Sequence, residues 1–236
     1  MKNVFTFLLL LFSLLCNGQS PKLFTTDKEL SSSLINQIYQ DRNGFIWIAT
    51  EDGLNRYDGA KFTIYKHEPN NEHSLAHNFV RTVFEDSKGH LLIGTYIGIQ
   101  MYDPATDNFT PLAKLEDTGE TLESNINSFI ERKNGEIWVS GNVLCKLDIK
   151  DHLLTVRKVD IAVTSPGSLF EDKKQNVWMA KGEEGVYQLT PDNQLTLHLS
   201  KDNGYVKSIC EDQRGNIYVG SIRKGLFIYD KERRSE

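Results

Sequence analysis

Downstream of residue 21, hydrophobic and polar residues alternate in short runs broken by Gly, Asp and Asn, the period-two pattern of half-buried strands. Five stretches superimpose: IYQDRNGFIWIAT (38–50), VFEDSKGHLLIGT (83–95), FIERKNGEIWVSG (129–141), LFEDKKQNVWMAK (169–181) and ICEDQRGNIYVGS (209–221). Each reads as two strands around a tight turn. The turn residues are Gly44, Gly89, Gly135, Gln175 and Gly215. Glycine enters the left-handed region without the steric cost of a Cβ, so four of the five turns have the residue the backbone wants. At the fifth, the pattern predicts that Asn176 rather than Gln175 takes the positive φ.

A third strand follows each hairpin, as DGLNRYD (52–58), IGIQMYD (97–103), NVLCKLD (142–148), EGVYQLT (184–190) and KGLFIYD (224–230). A fourth follows in the first four repeats, as KFTIY (61–65), NFTPL (108–112), HLLTV (152–156) and QLTLHL (194–199). The turn residues lie 45, 46, 40 and 40 residues apart. Four short antiparallel strands at that period form the blade of a β-propeller. The prediction is an all-β fold of about five four-stranded blades over 31–66, 78–113, 124–158, 165–200 and 204–230, the last one incomplete.

Trp47, Leu92, Trp138, Trp178 and Tyr218 fall at one repeat position, where a large side chain fills the space between neighbouring sheets. Asp41, Asp86, Asp172 and Asp212 precede the turns and are placed to accept turn N–H groups, a structural role rather than a catalytic one. Cys210 aligns with Tyr39, Phe84, Ile130 and Phe170, and Cys145 lies two repeats away on another strand. Both are read as buried free thiols.

Composition narrows the class. The 236 residues carry 27 Lys+Arg against 32 Asp+Glu, with twelve Phe, nine Tyr and three Trp. Such a chain has the apolar mass for a core and lacks the positive charge of a nucleic-acid binder. Lys2 followed by the apolar run from Val4 to Cys16 reads as a signal peptide over 1–18, cut after Gly18. Leu15 stands where a lipobox needs a small residue before Cys16, so the expected product is exported and unlipidated.

The string QDRNGFIWIATEDGLNRYDGAKFTIY (40–65) resembles the propeller repeat of bacterial two-component regulators, and the second and fifth repeats match it well. The third departs at Asn142, where a Gly is wanted, and the fourth at Gln175. The resemblance implies an N-terminal portion of the periplasmic sensor region of a hybrid histidine kinase, typical of the Bacteroidetes, in which such propellers detect oligosaccharides. It also implies that the five blades are a partial arc of a seven-bladed ring. The alternative is direct closure of five blades, with a strand at 22–26 pairing beside 225–230. The partners implied are an oligosaccharide and either a second copy or downstream sensor-kinase domains, with any membrane attachment supplied by sequence after residue 236.

Chemistry is sparse. No nucleotide fingerprint and no nucleophile motif occurs, and no cofactor is expected. His67, His73 and His77 share one loop, but no Cys or tight His pair supports a metal site. Propeller topology brings the loops between second and third strands to one face with the connections between blades. The expected ligand-binding residues are therefore Glu51, Asp52, His77, Asn78, Tyr96, Asn142, Glu183, Glu184, Arg223 and Lys224. The favoured function is a non-catalytic, ligand-sensing propeller that relays to a histidine kinase. A secreted lyase or glycan-cleaving propeller, or a protein-interaction scaffold, is the alternative.

Overall fold

A computed structural model describes residues 21–27, 29–200 and 204–230. The signal-peptide expectation lies outside them. No helix occurs among the described residues, and the chain forms five sheets in sequence order. The first contains β1 (Ile35–Gln40), β2 (Ile46–Thr50), β3 (Gly53–Tyr57) and β4 (Phe62–Tyr65). The second contains β5 (Val80–Glu85), β6 (Leu91–Thr95), β7 (Ile99–Asp103) and the two-residue β8 (Asn108–Phe109). After a stray strand β9 (Lys114–Leu115) come β10 (Ser128–Glu131), β11 (Ile137–Ser140), β12 (Leu144–Lys150) and β13 (Leu153–Lys158). The fourth sheet is β14 (Leu169–Glu171), β15 (Val177–Lys181), β16 (Gly185–Leu189) and β17 (Leu195–Ser200). The last has three strands, β18 (Tyr205–Glu211), β19 (Ile217–Ile222) and β20 (Gly225–Tyr229). Consecutive strands pair antiparallel within every sheet, which is the blade meander of a β-propeller.

The core lies between sheets. Trp47 and Ala49 pack with Val80, Val83, Leu91 and Ile93 of the next blade. Leu92 and Met101 meet Phe129, Ile137 and Val139 in the same way. Trp138 meets Leu169, Val177 and Met179, and Trp178 meets Val206, Ile217 and Val219. Alternate residues on each second strand thus face alternate neighbours, so one period-two pattern builds both interfaces of a blade. Tyr218, at the same repeat position in the last blade, is only half-buried.

The hairpin turns behave as their residues dictate. Asp41 Oδ1 accepts the N–H groups of Asn43 and Phe45 at 3.0 and 2.9 Å, while Oδ2 accepts Trp47 Nε1 at 2.8 Å. Asp172 repeats the arrangement with Lys174, Asn176 and Trp178. In the second blade, where the Leu92 side chain has no donor to offer, His90 Nδ1 approaches Asp86 Oδ2 at 2.7 Å instead. A ladder joins these turns between blades. The N–H groups of Arg42, Ser87, Lys133 and Lys173 donate to Glu85, Glu131, Glu171 and Glu211 of the following blade at 2.7–2.8 Å.

Several expectations need correction. Gln175 itself takes the positive φ, at 67°, because the Asn176 amide is committed to Asp172 Oδ2 at 2.8 Å. Cys210 is exposed rather than buried: Phe84 at the equivalent place packs on Phe129 of the next blade, and no described blade follows the fifth. Residues 22–25 form no strand. Phe24 lies instead on Tyr57 and Phe62 of the first blade, at 5.3 and 5.0 Å between ring centres, and β20 pairs only with β19 among the described residues. The fourth strand of the second repeat ends at Phe109, just before Pro111, which has no N–H to donate to a ladder. The chain then runs on to β9, which adds to the third sheet in parallel beside β13.

Candidate functional site

The first strands of four blades, and in the fourth blade the segment just before β14, border one polar cavity of about 660 Å³. Its wall includes Asn36, Arg81, Asn127, Ser168, Tyr205 and Lys207, with Lys181 at the end of β15 and Glu183 and Glu184 from the turn that follows. What aims these side chains is a slip in pairing. In β1 the register shifts between Ile35 and Gln37, in β5 between Val80 and Thr82, and in β18 between Val206 and Ser208. The residue skipped is Asn36, Arg81 or Lys207, one repeat-equivalent position in three blades. A bulge of this kind re-aims a side chain that a regular strand would turn between sheets. Gly167 holds the place in the fourth blade, where a Cβ would come within 3.0 Å of the Ala180 carbonyl, so the wall there is open.

The wall is tied together across blades. Asn36 Nδ2 donates to the Val80 carbonyl at 2.8 Å, and Val83 N–H donates to Gln37 Oε1 at 2.7 Å. Arg81 Nη1 donates to Asn127 Oδ1 at 2.9 Å, and Asn127 Nδ2 to the Pro166 carbonyl at 3.0 Å. Ser168 Oγ donates to the Lys207 carbonyl at 2.8 Å. These bonds fix amide and guanidinium groups in place before any ligand arrives, which lowers the entropic cost of binding. The Tyr205 ring lies beside Gly182, and the residue is exposed.

Of the ten residues expected from the sequence, Glu183 and Glu184 line this cavity, and Glu184 is held at 2.6 Å from Lys181 Nζ. The other eight do not. Asp52 is engaged by Lys66 Nζ at 2.6 Å and by Asn78 Nδ2 at 3.0 Å. The His77 ring is 5.6 Å from that of Tyr96, and its Nδ1 accepts the Phe79 N–H. Glu51 donates its N–H to the Leu34 carbonyl. Asn142 borders a separate groove with Lys114, Glu120 and Lys158. Arg223 and Lys224 form the exposed turn between β19 and β20. Sequence reasoning missed Asn36, Arg81, Asn127, Tyr205 and Lys207, because the loops were searched and the first strands were not. A signal was present: at the position of Asn36, Arg81, Asn127 and Lys207, four repeats carry a polar residue directly after or before an apolar one.

The strongly perturbed titrating groups lie elsewhere and do structural work. Asp107 Oδ1 accepts from the hydroxyls of Tyr65 and Tyr102 at 2.6 Å each and from Arg56 Nη1 at 2.9 Å, and Arg56 also meets the Tyr102 hydroxyl. Burial raises both phenols, and donation to Asp107 raises them further. Burial opposes the charges on Asp107 and Arg56, but their shared contacts outweigh it, lowering Asp107 and raising Arg56 from their ordinary values. The phenols therefore stay protonated, and the cluster locks the first blade to the second. Among the described residues, no group of three or more His, Cys, Asp and Glu side chains is placed to hold a metal ion.

Residues 29–52, 74–96 and 200–223 match the two component regulator propeller family. The fold is that of a β-propeller, and these three segments are similar to two-component regulator propeller repeats. Histidine kinase P4 of Formosa agariphila is 37% identical over 83 residues, 32% of this chain and 6% of that protein. The extracellular domain of a putative hybrid two component system from B. thetaiotaomicron superimposes with a TM-score of 0.74 at 19% identity, over 93% of this chain and 32% of its own. A virginiamycin B lyase from Staphylococcus aureus, solved with quinupristin, superimposes with a TM-score of 0.62 at 12% identity, over 92% of this chain and 74% of its own. At these identities the solved structures speak for the fold alone. The chain spans about a third of the two-component structure and a small fraction of the curated kinase.

Proposed function

We propose that this chain is a periplasmic ligand-sensing propeller of a two-component system, and that it binds an oligosaccharide in the polar cavity to which all five blades contribute. The observation that carries the reading is the repeated register slip at Asn36, Arg81 and Lys207, which turns three polar side chains of different chemistry into one space. Amides, carboxylates and a guanidinium suit sugar hydroxyls, and the Tyr205 ring suits the apolar face of a pyranose. Glu183 and Glu184 belong to this proposal. Kinase relatives support the signalling role, with phosphotransfer carried by parts of such proteins outside this chain. The second reading is a propeller enzyme.

Titration calorimetry of the whole chain against a panel of neutral and acidic oligosaccharides, followed by chromatography of the recovered sugar, separates the two. A sensor binds and returns the sugar intact, and Tyr205→Ala weakens binding by roughly tenfold, the size of one lost stacking contact. New product would establish the enzyme, and heat from none of the sugars would end the oligosaccharide reading.

A further inference from the structure

Among the described residues three arginines are half-buried: Arg56, Arg81 and Arg132. Two have carboxylates, Arg56 with Asp107 at 2.9 Å and Arg132 with Glu171 at 2.9 Å. Among the described residues Arg81 has no carboxylate within ion-pair distance. Its guanidinium sits 5.7 Å from the centre of the Phe79 ring and gives one N–H to the neutral oxygen of Asn127. A guanidinium carries five N–H donors in a rigid fork, so most of its hydrogen-bonding capacity remains uncommitted at the cavity wall. Holding a partly desolvated cation beside a neutral amide is unfavourable unless an anion arrives to complete it.

The neighbouring charges point the same way. Lys181 is already matched by Glu184 at 2.6 Å and by the Thr164 hydroxyl at 3.1 Å. That leaves Arg81 and Lys207 on the wall against the single carboxylate of Glu183, and neither cation forms an ion pair with it. Both cations occupy the slipped position that points a side chain into the cavity, and the equivalent Gly167 contributes no side chain to fill the space. We infer that the oligosaccharide recognised here is acidic, and that its uronate carboxylate or sulfate ester pairs with Arg81, with Lys207 adding to the field. This rests on the proposed reading of the cavity as a sugar site. Planar, two-point recognition of such an anion is the particular capability of arginine, and lysine does not reproduce it.

The test uses the whole chain and three probes in low-salt buffer: trigalacturonate, a sulfated tetrasaccharide from carrageenan, and cellotriose. At least one acidic probe should bind roughly tenfold or more tightly than cellotriose, and salt should weaken it. Arg81→Gln should lower the affinity for that probe roughly ten- to hundredfold, the loss of a charge-assisted pair, and weaken cellotriose by a far smaller factor. Arg81→Lys should recover only part of it. An unaltered thermal midpoint shows that the variants fold. Trigalacturonate binding names a uronate and carrageenan binding names a sulfate. Equal affinity for acidic and neutral probes overturns the acidic ligand while leaving a sugar site standing, and an acidic preference that survives Arg81→Gln overturns the pairing with Arg81. Absence of binding by all three overturns both.

Discussion

Replacing Trp47 with alanine removes the largest side chain at the first inter-blade contact. The indole is fully buried, 4.9 Å from the Tyr102 ring and 5.9 Å from the Tyr65 ring, and its Nε1 donates to Asp41 at 2.8 Å. Truncating a buried aromatic costs about 3–5 kcal/mol, through lost transfer energy and the cavity left behind. Asp41 keeps its two turn N–H partners, so the added polar loss is confined to one charged hydrogen bond, about 1.5–3 kcal/mol, which Trp47→Phe isolates. Tyr218 is the internal control. It holds the same repeat position but is half-exposed, so Tyr218→Ala leaves no closed cavity and should cost below about 2 kcal/mol. Urea unfolding followed by far-ultraviolet circular dichroism measures both. Equal losses for Trp47→Ala and Tyr218→Ala, or a loss below about 1 kcal/mol at Trp47, would refute the claim that this side chain works as a wedge between sheets.

Other consequences can be measured on the same protein. Glu171 accepts the Lys133 N–H at 2.7 Å and pairs with Arg132, both side chains being largely buried, so Glu171→Ala should cost about 3–5 kcal/mol in urea unfolding. The matching Glu131→Ala, which loses only contacts to Ser87, should cost clearly less. His198 lies between Trp178 and Tyr229, 4.8 and 5.4 Å from their rings, and burial lowers its pKa. The folded chain therefore binds fewer protons here than the unfolded one. The contribution is intact above the ordinary histidine value near 6.5 and is lost as pH falls below it, so His198→Gln should flatten unfolding free energy between pH 7.5 and 5.5. Burial raises the Cys145 thiol to about 11, whereas Cys210 is exposed. Maleimide at pH 7.5 should label Cys210 in the native protein and spare Cys145, as read by peptide mass mapping.

Much of this architecture was legible because each blade repeats the same local chemistry. The glycine of the turn, the aspartate before it and the tryptophan after it each have a near-local cause, so their spacing reported strands and period together. Failures came where the cause is tertiary. Cys210 has the sequence environment of Phe84, and only the presence or absence of a following sheet separates a buried side chain from an exposed one. Strand β9 was invisible because its two residues pair with β13, some forty positions further along the chain. The cavity was missed for a related reason. Alternation predicts which face a residue occupies only while the register holds, and a single skipped residue at Asn36, Arg81 or Lys207 redirects a side chain without changing the pattern around it. Topology gathers the loops without saying which of them meet the first strands, and of the ten residues named from the loops Glu183 and Glu184 line the cavity.

Cysteine scanning along residues 80–83, in a Cys16→Ser/Cys210→Ser background, tests the skipped register most directly. Val80, Thr82 and Val83 are buried whereas Arg81 opens on the cavity, so the account predicts rapid maleimide labelling at 81 and slow labelling at 80, 82 and 83. Comparable labelling at 81 and 83, the signature of an uninterrupted strand, or protection at 81 equal to its neighbours, would contradict it.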